Sequence, residues 1–131
     1  MAQHKIDPED LPYAPEKLPR KRDITGPEFF ALDLRTGTIT EVEEFPEARN
    51  PAYRITVDFG PVVGSLRSSA QITNYGRDEL VGRTVVGAIN LGIRRIAGFE
   101  SQFLVLGALE PDGTVQLLSP DGDPPRGSVV A

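Results

Sequence analysis

Tyr53-Arg54-Ile55-Thr56-Val57-Asp58-Phe59 alternates apolar and polar residues without a break. A period of two predicts a half-buried strand, with Tyr53, Ile55, Val57 and Phe59 on one buried face. Gly60-Pro61 closes it. Upstream, Leu34 to Val42 is rich in Thr and Ile and reads as another strand, with Gly37 at a bend. Phe45 to Pro51, between the two, reads as a loop holding two prolines. Downstream, Gly64 to Ile72 is a third, more polar strand, and Gly60 to Gly64 a connecting loop. Asp78 to Val81, ended by Gly82, is a short helical turn. Arg83 to Asn90 and Gln102 to Leu109 follow as strands, and the turn Pro111-Asp112-Gly113 leads into a returning strand, Val115 to Leu118. Before the first strand, Thr25 and Glu28 have the spacing of a capping box that starts a helical turn through Phe29 and Phe30. Five or six strands with one short helix before the fourth give an all-β chain in the order of a five-stranded OB-fold barrel. The expected core includes Leu34, Ile39, Ile55, Val57, Val86, Ile89, Leu104 and Leu106.

Outside this block the composition changes. Residues 1–27 hold five of the twelve prolines, and their five basic and five acidic residues cancel. Such spacing of proline blocks helix and central strand, so 1–27 reads as an extended arm and 28–131 as the folded domain. Leu11, Tyr13 and Leu18 could pin the arm onto its own domain or a neighbour, and the run Arg20-Lys21-Arg22 reads as solvated. Pro120 to Gly127 reads as a second extended stretch.

Several function classes fall away on composition. The chain has 131 residues, 39% hydrophobic and 25% charged, enough for one core. It has no cysteine and one histidine, His4 in the arm, so disulfides, a thiol nucleophile, a multi-histidine metal centre and a Ser-His-Asp site are not expected. There is no phosphate-binding glycine loop and no dinucleotide fingerprint. The acidic group Glu41, Glu43, Glu44 and Glu47 reads as a solvated strand end rather than a cation site. No catalytic residue, metal or cofactor is expected. No apolar run nears the roughly 18 residues of a membrane span, and no signal peptide is recognisable, so the expectation is a cytoplasmic protein without membrane insertion. Fourteen Lys and Arg against nineteen Asp and Glu give a net charge of −5. Any nucleic-acid site must therefore be a local patch working against the field of the whole molecule.

A single-strand nucleic-acid site on such a barrel would need cations and exposed rings. The chain offers Arg35, Arg54, Arg67, Arg94 and Arg95, with Phe99 and Tyr75 as candidate exposed rings, while Tyr53, Phe59 and Phe103 belong to apolar faces. The polar group Ser68, Ser69, Gln71, Asn90 and Ser101 could instead grip an extended peptide backbone. Its alternative is strand-end and loop capping. With Arg35 and Arg95 these five residues make up the candidate peptide- or RNA-binding face. The alternative for the two arginines is pairing with Asp33 and Glu100.

A resemblance extends this reading. Asp33-Leu34-Arg35-Thr36-Gly37-Thr38-Ile39, Phe45 to Tyr53, Val57 to Gly60, Ser68 to Thr73, Asp78 to Arg83, Asn90-Leu91, Arg95 to Ser101 and Leu104 to Gly107 resemble, in order, the motifs of the tRNA-binding-domain family. The similarity covers residues 28–127 and is greatest to the CsaA branch, described as secretion chaperones. Synthetase-appended members typically read His-Pro-x-Ala-Asp-Lys-Leu where this chain has Phe45-Pro46-Glu47-Ala48-Arg49-Asn50-Pro51. The resemblance implies an OB-fold homodimer without enzymatic activity that binds unfolded or pre-secretory polypeptides and contacts export machinery, with tRNA as the alternative ligand. Phe29, Phe30 and Val115 to Leu118 are the expected dimer contacts, because adjacent phenylalanines on an appended turn are hard to cover within one small barrel.

Overall fold

The computed structural model describes residues 11–131. Residues 1–10, including His4 and the start of the arm, lie outside the described residues. The described segment 11–25 holds a 3-10 turn at Pro15–Lys17, and Leu11 has a positive φ of 39°. The segment meets the domain where the Tyr13 N–H donates to the Pro111 carbonyl (3.0 Å) and Ala14 is buried. Leu18 stays half exposed.

The helical turn α1 (Gly26–Phe30) forms as the capping box requires: the Glu28 N–H donates to Thr25 Oγ1 and the Thr25 N–H to Glu28 Oε1, both at 3.2 Å. Then come β1 (Leu34–Glu44), β2 (Tyr53–Asp58), the short helix α2 (Gly60–Val63), β3 (Ser65–Ala70), α3 (Arg77–Leu80) and β4 (Thr84–Ala88). The chain continues through β5 (Arg94–Ile96), β6 (Phe99–Ser101), β7 (Leu104–Val105), β8 (Gly107–Leu109) and β9 (Val115–Leu117). The main antiparallel sheet has the order β3-β2-β1-β4-β7 and curls into a nearly closed five-stranded barrel of OB type. Its two ends meet where the Gln102 N–H donates to the Arg67 carbonyl (2.7 Å) and the Arg67 N–H to Gln102 Oε1 (2.9 Å).

The alternation of β2 holds: Tyr53, Ile55 and Val57 are buried, and Phe59 just beyond is 1% exposed. Ile39, Ile72, Leu80, Val85 and Phe103 complete the main core, with Leu80 of α3 fully buried in it. Phe59 fills the space beside Gly37 and Gly87. A Cβ on Gly37 would lie 2.8 Å from the Phe59 ring, and so would one on Gly87. The ring also meets Phe103 edge-on, with centroids 5.0 Å apart.

Some expectations are corrected. Leu104 is 53% exposed rather than core, because Phe103 takes the inward position and Leu104, paired opposite Ala88, falls on the other face. Ile89 and Leu106 are half-buried, and Leu106 packs with Leu34, Val86 and Ala88 in a second, smaller cluster. Gln102 to Leu109 is not one strand. At Leu106 the chain leaves β4, donating to the Val86 carbonyl, and its own carbonyl accepts from Leu118. Gly60 to Val63 is helical rather than a loop. Phe99 lies in the β5–β6 hairpin. That hairpin turns through Ala97 (φ 48°) and Gly98 (φ 79°), the double positive φ of a two-residue turn matched to strand twist.

The last residues return to β1. The Thr36 N–H donates to the Ser128 carbonyl, the Gly127 N–H to the Thr36 carbonyl and the Val130 N–H to the Leu34 carbonyl. The tail thus continues, along the β1 edge, the line that β2 leaves at Thr38. Arg126 anchors it by pairing with Asp58 (2.6 Å). The Gly60 N–H and Arg126 hold the Asp58 carboxyl below its usual range. No helix among the described residues is long and apolar enough to cross a membrane.

Candidate functional site

On β2 the residues between the buried positions, Arg54 and Thr56, face outward. Pairing sets Arg54 between Glu43 of β1 and Ser69 of β3, and Thr56 beside Arg67. Two arginines on neighbouring strands therefore reach one carboxylate. Arg67 Nη2 donates to Glu43 Oε1 at 2.9 Å, and Arg54 Nη2 lies 3.8 Å from Glu43 Oε2. Each guanidinium also covers a ring: Arg67 lies 4.8 Å from the centroid of Phe99, and Arg54 lies 5.3 Å from that of Phe45. The two rings pack edge to face at 5.5 Å. The β5–β6 hairpin that supplies Phe99 also carries Arg94 and Arg95, both exposed. On an acidic protein, Arg54, Arg67, Phe45 and Phe99 thus form one cluster of cations and rings around the Glu43 carboxylate.

The seven candidate residues do not form one group. Ser68, Ser69 and Ser101 come together beside this face, at the seam that closes the barrel. The Ser68 hydroxyl is 1% exposed, donates to the Phe103 carbonyl (2.8 Å) and lies 3.1 Å from Ser101 Oγ, which accepts from the Ser69 N–H. Their polarity is used to join β3 to β6 and the segment after it, where a lost partner would leave a buried hydroxyl unsatisfied. Gln71 lies exposed just beyond β3. Arg95 pairs with Glu100 (3.0 Å) on the hairpin.

Arg35 and Asn90 lie elsewhere, where α1, β1, β4 and the tail meet. Asn90 Nδ2 donates to the Ala31 carbonyl and its Oδ1 accepts from the Asp33 N–H, bracing the link from α1 to β1. Arg35 pairs with Asp33 (2.7 Å) and donates to the Gly127 carbonyl (3.2 Å), so it clamps the tail. Arg35→Ala is expected to lower stability by about 1 kcal/mol, a charge-assisted clamp discounted for partial exposure. Arg95→Ala should stay within about 0.5 kcal/mol of the parent. Thermal melts decide both, and an Arg35→Ala protein that melts like the parent but loses ligand would make Arg35 a binding residue rather than a clamp.

Glu43 and Phe45 were not among the candidates. The sequence shows Glu43 only as one of several clustered acids, and its place between two arginines follows from strand register. Among the described residues no group of His, Cys, Asp and Glu is arranged to hold a metal ion.

The model of the family described as "Putative tRNA binding domain" matches residues 34–129, from β1 through the tail. The chain belongs to this family. Among solved structures it is similar to the CsaA chaperone protein of Picrophilus torridus, 45% identical with a TM-score of 0.79, covering 83% of this chain and 100% of that one. It is similar also to the chaperone CsaA of Bacillus anthracis, 43% identical with a TM-score of 0.79, covering 84% and 100%. Among curated proteins, the methionine–tRNA ligase of Methanococcus maripaludis is 39% identical over 119 residues, which is 87% of this chain and 17% of the ligase. The chain therefore spans about a sixth of the length of the curated relatives it matches. The barrel and the family agree with the reading of the sequence.

Proposed function

We propose that this tRNA-binding-domain protein is a non-enzymatic chaperone of the CsaA type, a cytoplasmic homodimer that holds unfolded or export-bound polypeptides. The observation that carries this reading is the match to two CsaA chains over their whole length at 43–45% identity. An exposed apolar rim supports the dimer. Phe30 (68% exposed) adjoins Ala31, whose carbonyl holds Asn90, and Leu91 (58%) follows Asn90. Leu104 lies opposite Ala88. A second copy is the simplest cover for these exposed apolar side chains. Of the expected contact Val115 to Leu118, Leu118 is available, because Val115 and Leu117 pack into the core. Ser69, Gln71 and Arg95 are proposed to touch the client, with Ser68 and Ser101 holding the backbone that presents them.

Light scattering should give twice the 14.2 kDa chain mass at micromolar concentration, and the protein should suppress aggregation of a denatured client. A monomer mass rejects the dimer, and undiminished aggregation rejects the chaperone.

A second reading, tRNA binding, is favoured by the arginine and phenylalanine face and by the family match. Phosphate contacts make affinity fall steeply with salt, so a salt titration of tRNA binding measures that contribution directly.

A further inference from the structure

Two guanidiniums that share one carboxylate are incompletely served. Arg67 has the short contact to Glu43, while Arg54 Nη2 stands 3.8 Å off and Arg54 Nε is buried with no hydrogen-bond partner. A buried donor without an acceptor is costly, and a guanidinium fork satisfied at two nitrogens is worth more than one held at arm's length. The carboxylate is itself half exposed, as is the Arg67 side chain, so solvent and ligands reach the pair. Glu43 is planar with two oxygens. A phosphodiester carries the same single charge on two non-bridging oxygens of a tetrahedral phosphorus, at a similar spacing.

We propose that Glu43 is an internal stand-in for a ligand phosphate: it neutralises Arg54 and Arg67 in the free protein and is displaced when a single-stranded RNA segment binds this face. The incoming phosphate takes the fork. The adjoining base stacks on the outer face of the Arg67 guanidinium, whose inner face already lies on Phe99. Guanidinium planes and aromatic rings are the usual platforms for unstacked bases. Because the acid must leave, it sets a threshold: anions that fit the fork poorly do not dislodge it, which limits indiscriminate polyanion binding.

This inference rests on the tRNA-binding reading above. It is tested on the full chain with a fluorescent U-rich single-stranded RNA and with bulk tRNA, both at low salt. Glu43→Gln removes the competing charge and should tighten RNA binding by about two- to fivefold, the range expected for releasing a half-exposed ion pair. Glu41→Gln removes the same charge from the same strand, at a residue that makes no ion pair among the described residues, and should change affinity much less. Arg67→Lys keeps the charge but loses the fork and the stacking plane, and should weaken binding. Melting curves confirm that each variant is folded, and Glu43→Ala serves as the second test of charge removal.

If the parent binds tRNA while Glu43→Gln and Glu41→Gln gain equally, or neither gains, the role of Glu43 is overturned and the tRNA reading stands. If the parent binds neither RNA, the tRNA reading itself fails. If Glu43→Gln tightens polyglutamate but not RNA, the fork takes carboxylates and the proposal is overturned in favour of an acidic polypeptide.

Discussion

Phe59→Ala is expected to cost about 3–5 kcal/mol, enough to consume much of the stability of a small domain. Phe59 sits where four parts of the barrel converge. Its ring occupies the space left by the missing side chains of Gly37 on β1 and Gly87 on β4, meets Phe103 edge-on, and follows directly on β2. Truncation would empty a cavity whose walls cannot close in. Two of them are glycine backbone in hydrogen-bonded strands, and interiors pack too tightly to redistribute such a void without shifting the strands. The same geometry forbids compensation from the other side, since a Cβ on Gly37 would also lie 2.5 Å from Val57 Cγ1. Chemical denaturation checks the value. A loss below about 1 kcal/mol would mean that the barrel collapses around the site and that the ring does not set strand spacing.

Gly127→Ala should give the second large effect, a loss of about 1–3 kcal/mol. Gly127 has φ +89°, which L side chains rarely adopt, and its Cβ would lie 2.5 Å from the Phe59 carbonyl oxygen. Across this crossing, a Cβ on Gly60 would strike the Arg126 carbonyl. Backbone faces backbone on both sides, so no flexible side chain can give way. The expected result is a barrel that keeps its core while the tail lifts from β1. The amides of Gly127, Ser128, Val130 and Thr36 then exchange faster with solvent while those of β2 stay protected. An alanine variant with parental stability and parental protection at Thr36 would show that the tail is held without this close crossing.

Much of this fold was legible because its determinants are local. Alternation from Tyr53 to Phe59 names a buried face wherever the neighbouring strands lie, and Thr25 with Glu28 suffices to start α1. The β5–β6 hairpin was hidden because Ala97 adopts a positive φ that its side chain disfavours, so no asparagine or glycine pair marked the turn. Leu104 misled because a two-residue strand gives no period to read. The candidate site was half legible. Arg54, Arg67 and Phe99 could be suspected from residue type, but the position of Glu43 between them depends on which residues strand pairing sets opposite one another. Ser68 shows the reverse case. A polar residue in a strand suggested a ligand, and pairing placed it opposite Ile55, inside the barrel, where its hydroxyl closes the seam instead.

The seating of the tail on β1 has a consequence for how the chain reaches this structure. Thr36 and Ser128 are 92 positions apart, so one edge of β1 must wait for a partner made 92 residues later. During synthesis β1 can find β2 and β4, yet the stretch around Leu34 to Thr36 still presents free amides and carbonyls. Closing so long a loop is slow compared with forming the hairpins inside it. Over that interval the nascent chain carries an open strand edge, the kind of surface on which two growing chains pair wrongly. Ribosomes translating the same message in close succession would therefore be where this protein is most exposed to misassembly.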